Sequence, residues 1–203
     1  MKIKQYIALA ALTMPLAASA QSSVIDFETS ATQGASVSVF DTWENSPFRT
    51  GKLKGNIKVI DNPFKVVDEI TGNGNQSDKV LAFQRSRFGS STFGARVELA
   101  EPLALTPKTQ YVHVKIYTPK AEKIMLFALG KRADRADQSK DVVQVEANCI
   151  SSIKANKWCD AVFAISSAPG VNIHSFLIIP DLQSTHNLAQ DFAVYVDDIE
   201  VNN

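Results

Sequence analysis

The stretch Tyr111-Val112-His113-Val114-Lys115-Ile116-Tyr117 alternates between apolar and polar or aromatic side chains at every step. A period of two is the repeat of a β-strand, whose successive side chains point to opposite faces of a sheet. Val112, Val114 and Ile116 therefore face a core, while His113, Lys115 and Tyr117 face water or a ligand. Elsewhere the apolar residues come in short runs rich in Val, Ile and Phe, divided by Gly, Pro, Asn, Asp and Ser. Sustained helical periodicity is scarce, so the pattern predicts an all-β chain. Strands are expected over 24–28, 36–41, 56–61, 79–86, 94–99, 110–117, 123–130, 141–147, 157–166, 174–179 and 192–201. So many short strands suit two packed antiparallel sheets. Residues 123–129 are apolar on both faces, as expected of a central strand covered on each side.

The first twenty residues read as an export signal. Lys2 and Lys4 precede an apolar run ending at Leu16, and Ala18-Ser19-Ala20 supplies a small-residue cleavage pattern. That run is shorter than the roughly 20 residues a bilayer core requires. The expected mature chain is one domain, residues 21–203, placed in the periplasm or outside the cell and without membrane insertion. Lysine plus arginine and aspartate plus glutamate each total 21, so no basic excess suggests a nucleic-acid partner. Cys149 and Cys159 fall in the exported part, where thiols oxidise, and their spacing suits neighbouring strands joined by a turn. A structural disulfide is expected; a zinc or redox pair would want a CxxC spacing or nearby histidines.

Enzymatic signatures are weak. A glycosidase needs two carboxyl groups facing one cleft, and Asp197 and Asp198, as neighbours in a regular strand, would project to opposite sides. The sequence contains no GxSxG elbow, HExxH or phosphate-binding glycine loop. A sugar site combines an aromatic face with amide, acid or basic side chains. Trp43, Phe48 and Arg49 offer this in the long loop 42–55. Gln84, Arg85, Arg87 and Phe88 offer it at the end of a predicted strand, with Arg96 and Tyr117 on a wet sheet face. Trp158, at a strand start, is assigned to packing. Asn75-Gln76-Ser77 also fits a glycosylation sequon.

Three landmarks recur in order: Val24-Ile25-Asp26-Phe27-Glu28; Val59-Ile60-Asp61-Asn62-Pro63 followed by Asn73-Gly74-Asn75-Gln76-Ser77-Asp78; and Val194-Tyr195-Val196-Asp197-Asp198-Ile199. Together with Lys157-Trp158 they resemble the galactose-binding-domain-like β-sandwiches, a jelly-roll class that includes carbohydrate-binding modules of secreted bacterial proteins. The resemblance spans nearly the whole mature chain and implies a jelly roll that binds a poly- or oligosaccharide without catalysis. It also implies a structural calcium ion held by Glu28 and Asp197, with Asn75 and its neighbours completing the oxygen shell. Residues 64–70 depart from the pattern as an insertion before the Asn-rich loop. A monomer is expected, with a protein partner as one alternative role. A hydrolase or lyase on the same scaffold and a binder of another small molecule are the others.

Overall fold

The computed structural model describes residues 25–28, 36–40, 57–67, 74–85, 87, 93–120, 123–132, 142–166, 170–182 and 188–202. Residues 1–20, Trp43, Phe48, Arg49 and Phe88 lie outside these. The strands are β1 (Val37–Phe40), β2 (Lys58–Asp61), β3 (Lys79–Arg85), β4 (Gly94–Ala104), β5 (Gln110–Tyr117), β6 (Met125–Arg132), β7 (Val142–Asn148), β8 (Trp158–Ile165), β9 (Val171–Ile179) and β10 (Phe192–Asn202).

These strands form two five-stranded sheets, in the orders β1-β4-β9-β6-β7 and β2-β3-β10-β5-β8, with every pairing antiparallel. With the two outermost additions, β1 and β2, set aside, the remaining eight follow the double Greek-key order of a jelly roll. The alternation read from the sequence now has its cause. Val112, Val114 and Ile116 of β5 meet Ala161, Phe163 and Ile165 of β8 and Val194 and Val196 of β10 in the space between the sheets. The facing sheet contributes Ala95, Val97, Leu126, Ala128, Phe176 and Ile178. Each large side chain so buried stabilises the fold by roughly 1.5 to 3 kcal/mol relative to exposure. The apolar run of β6 is buried on both faces: Leu126 and Ala128 face the core, whereas Met125, Phe127 and Leu129 join Leu177, Ile179 and Leu182 in a second cluster.

Two connections lie against the second sheet and prepare its outer surface. The β2–β3 connection folds back over that face, where Val66 and Asn75 form a bridge and Val66 N donates to Asn75 O at 2.9 Å. The β7–β8 connection runs back along β8, with Cys149 bridged to Phe163 and Ile150 N donating to Val162 O at 2.8 Å. The latter covers what would otherwise be a bare sheet edge. At one end, Ile25 exchanges both backbone hydrogen bonds with Ile199, each 3.0 Å.

Candidate functional site

The register across the second sheet sets Lys58, Ala82, Tyr195, Tyr117 and Trp158 side by side in one row. Their neighbours along each strand face the core, so this row lies on the outer face. Phe64, from the β2–β3 connection, lies flat on Tyr117, with centroids 4.0 Å apart and planes 7° from parallel. Tyr195 meets Phe64 edge-on at 5.2 Å, and Trp158 meets Tyr117 edge-on at 5.7 Å. Trp158 Nε1 donates to Phe64 O at 2.8 Å, which fastens the connection to β8. Burial pushes both tyrosine phenols above their ordinary range, Tyr195 with a further contribution from Tyr117. Tyr117 therefore presents a protonated hydroxyl at neutral pH.

Beside this aromatic cluster opens a groove of about 670 Å³, walled by Val66, Tyr117, Trp158, Asp160 and Val162 on one side and by the β7–β8 connection on the other. That connection supplies Ser151, Ser152, Lys154, Asn156 and Lys157. Ser151 is already engaged, its hydroxyl donating to Asp160 O at 2.6 Å and accepting from Val162 N at 3.0 Å. Asp160 is paired with His113 at 2.8 Å. The side chains of Ser152, Lys154, Asn156 and Lys157 and the Tyr117 hydroxyl make no hydrogen bond among the described residues.

The wall carrying Phe64 and Val66 is held by a buried amide network. Asn62 Oδ1 accepts from Phe64 N at 2.9 Å, and its Nδ2 donates to Ser77 O at 3.2 Å and to Asn75 Oδ1 at 3.3 Å. Asn75 Oδ1 also accepts from Ser77 N, and its Nδ2 donates to Asp197 Oδ2, both at 2.8 Å. A β-bulge lies beneath, because the register passes from Asp197 opposite Lys115 to Ile199 opposite Val114. This corrects the expectation that Asp197 and Asp198 point to opposite faces. The extra residue, with Asp198 at φ 41°, gives both carboxylates partners on the outer face: Asn75 for Asp197 and, at 2.8 Å, Lys115 Nζ for Asp198.

Asp197 has no exposed surface, and burial raises its pKa to about 6 against the hydrogen bonds from Ser77 and Asn75. Its Oδ1 is buried without a donor, an arrangement that suits a hard cation. Glu28 Oε1 accepts from Lys79 N at 3.1 Å, and no group of three or more His, Cys, Asp or Glu side chains among the described residues is placed to hold a metal ion. Asn75 fits differently from expectation: its oxygen is engaged by Ser77 and Asn62, and it offers Asp197 a donor. The same buried amide, 1% exposed, is closed to glycosylation.

Of the other residues singled out in the sequence, Tyr117 lines the groove. Gln84 and Arg85, at 2% and 0% exposure, are buried at the end of β3, where Asp191 accepts from Arg87 N at 2.8 Å and from Gln84 Nε2 at 3.5 Å. Arg96 stands on the opposite sheet, its Nε bonded to Ser175 Oγ at 3.1 Å and paired with Glu98 at 2.7 Å. The expected Cys149–Cys159 disulfide is corrected, since both thiols are free. Cys149 lies opposite Phe163, four residues along β8 from Cys159. At roughly 3.3 Å per residue that separation is about 13 Å, well beyond disulfide reach.

Sequence reasoning missed Phe64, Val66, Ser152, Lys154 and Asn156. Trp158 does pack, at 3% exposure, yet on the outer face. The clue was its alternation with the core-facing series Cys159, Ala161 and Phe163.

No protein-family model matches the sequence, and a search of curated proteins gave no match. Solved structures of low sequence identity are similar over most of the chain. The xylan-binding domain of a Paenibacillus barcinonensis protein is 14% identical over 91% of this chain and 97% of its own, with a TM-score of 0.46. The joined family 22 carbohydrate-binding and xylanase modules of a Clostridium thermocellum endo-1,4-β-D-xylanase, complexed with xylohexaose, are 12% identical over 88% of this chain, with a TM-score of 0.49. That match takes in 27% of the longer xylanase chain. A cleaved adhesin domain of Lys-gingipain from Porphyromonas gingivalis is 13% identical over 90% of this chain and 98% of its own, with a TM-score of 0.44. The jelly-roll assignment itself rests on the strand order described above.

Proposed function

We propose that this chain is an exported carbohydrate-binding sandwich whose site is the groove between Tyr117 and the β7–β8 connection. The observation that carries this reading is the set of unengaged polar side chains, Ser152, Lys154, Asn156 and Lys157, gathered beside a four-membered aromatic cluster. A sugar ring offers many hydroxyls and an apolar C–H face, so it matches several adaptable donors beside an apolar wall. The amide network supports the same reading, because Asn62 and Asn75 fix Phe64 and Val66 before any ligand arrives and lower the ordering cost of binding.

A calcium ion held by Asp197 Oδ1 and Glu28 is part of this proposal. It would neutralise the buried carboxylate and tie Glu28 to β10, a structural role. Export rests on the leader-like residues 1–20.

Isothermal titration of the chain against a panel of plant, algal and bacterial polysaccharides tests the binding. Saturable binding weakened about tenfold or more in Ser152→Ala/Asn156→Ala is the expected result. Absence of binding by folded protein would overturn it. A protein partner is the second reading, favoured by Val66, Val67 and Ile150, which are 50%, 60% and 61% exposed. Val66 lines the groove and Ile150 adjoins its Ser151. Crosslinking to a protein from the same secretome, lost on Val66→Asp/Ile150→Asp, would decide for it.

A further inference from the structure

Building on the carbohydrate reading, we infer that the groove takes an acidic saccharide, one whose rings carry carboxylates. Several lysines around the second sheet are paired with carboxylates. Lys65 is paired with Asp78, Lys79 with Asp61 and Lys115 with Asp198. Lys154 and Lys157 stand apart: both line the groove, both are exposed, and neither has an ion pair among the described residues. The carboxylate in the groove lining is Asp160, hydrogen-bonded to His113 Nδ1 at 2.8 Å, so the two lysines outnumber it. The lining thus carries uncompensated positive charge in a recess where part of the solvent is displaced, which strengthens attraction to an anion.

The shape narrows the class of anion. Chain totals of 21 basic and 21 acidic residues, together with the Asp198 carboxylate on the same face, leave no broad positive track for a nucleic-acid backbone. An extended acidic peptide would bind most readily by adding a strand to a sheet edge. The β7–β8 connection already occupies that position along β8. What remains is a ligand with separated carboxylates on hydroxyl-rich rings. The ammonium groups of Lys154 and Lys157 donate to the carboxylates, while Ser152, Asn156 and the Tyr117 hydroxyl bond the ring hydroxyls.

The test compares two forms of one polymer: polygalacturonate and its fully methyl-esterified counterpart, which differ in charge and share their sugar rings. Binding is measured on the full chain at low and at 0.5 M salt. The de-esterified polymer should bind about tenfold or more tightly at low salt, and most of that difference should vanish at high salt. In Lys154→Gln/Lys157→Gln the ratio should fall toward one, and in Lys154→Arg/Lys157→Arg it should persist. Both lysines are exposed, so an unchanged circular dichroism spectrum and melting temperature would confirm that the variants fold. Equal binding of the two polymers, unmoved by the lysine variants, would overturn the acidic assignment and leave carbohydrate binding standing. Equal competition by polyglutamate or single-stranded DNA would overturn it in favour of general polyanion attraction. Binding to no glycan at all would remove both this inference and the reading it rests on.

Discussion

Asp197 is held in the interior with one oxygen bonded to Asn75 and the other without a donor. Its pKa, raised to about 6 from 3.8, makes the native state the better proton acceptor. The resulting stability is fully present below the unfolded value and is lost as pH rises through about 6. In chelated buffer the protein should therefore be about 1 kcal/mol less stable at pH 7.5 than at pH 5 through this residue, as read by urea denaturation. Asp61 and Asp78 act in the opposite sense: hydrogen bonds from Lys79 and Lys65 hold them below the ordinary carboxylate range. Their effect is felt only in more acid solution. Asp197→Asn should abolish the loss between pH 5 and 7.5. Added calcium should raise the melting temperature of the parent at pH 7.5 and leave that variant unmoved; an equal response in both would place the ion elsewhere. Asn75→Ala removes hydrogen bonds to three partners, Ser77, Asn62 and Asp197, and should cost about 2 to 4 kcal/mol.

At the level of single elements, how well a strand could be read depended on how strictly its pattern followed the pleat. β5 spans Gln110–Tyr117, the same residues as the alternation predicted. β4 continues to Ala104, beyond the expected 99, because a register irregularity between Glu98 and Leu103 lets pairing with β9 resume after the polar stretch. Of the expected strand over 24–28, the described residues 25–28 form a bridge at Ile25, since Phe27 takes φ 56° and leaves the extended conformation. Gly94 shows a constraint no pattern reveals: a Cβ there would stand 2.4 Å from Ile178 O on the neighbouring strand. Gly94→Ala should destabilise the protein by about 2 kcal/mol or more in equilibrium denaturation, because the β9 backbone at Ile178 would have to give way. The β7–β8 connection makes a further prediction. Reductant should not alter the melting temperature, and thiol titration of the denatured chain should count two free groups; one bridge and no free thiol would contradict the register of Cys149 with Phe163.

For the whole molecule, the sandwich was legible because two-faced burial imprints a period of two on the strands that make it. The groove was not, because its wall joins Val66, Tyr117 and residues 151–162 across three separate stretches of chain, and the one short landmark among them, Lys157-Trp158, points to the fold and not to a site. Even the resemblance that located Asn75 and Asp197 treated residues 64–70 as an insertion, whereas Phe64 stacks on Tyr117. Central pairings are equally remote in sequence, β10 lying between β3 and β5. Refolding should accordingly take milliseconds to seconds in stopped-flow fluorescence, and a sub-millisecond phase carrying the full amplitude would argue against this topology.

The antiparallel exchange between Ile25 and Ile199 sets the first described residue one strand spacing from β10, the last strand. The described sandwich thereby has its first and last elements side by side. It can be spliced into a surface loop of a host protein without prising the host apart. By the same geometry, a short peptide could join its ends while new ones are opened between β6 and β7, yielding a circular permutant with the groove unchanged.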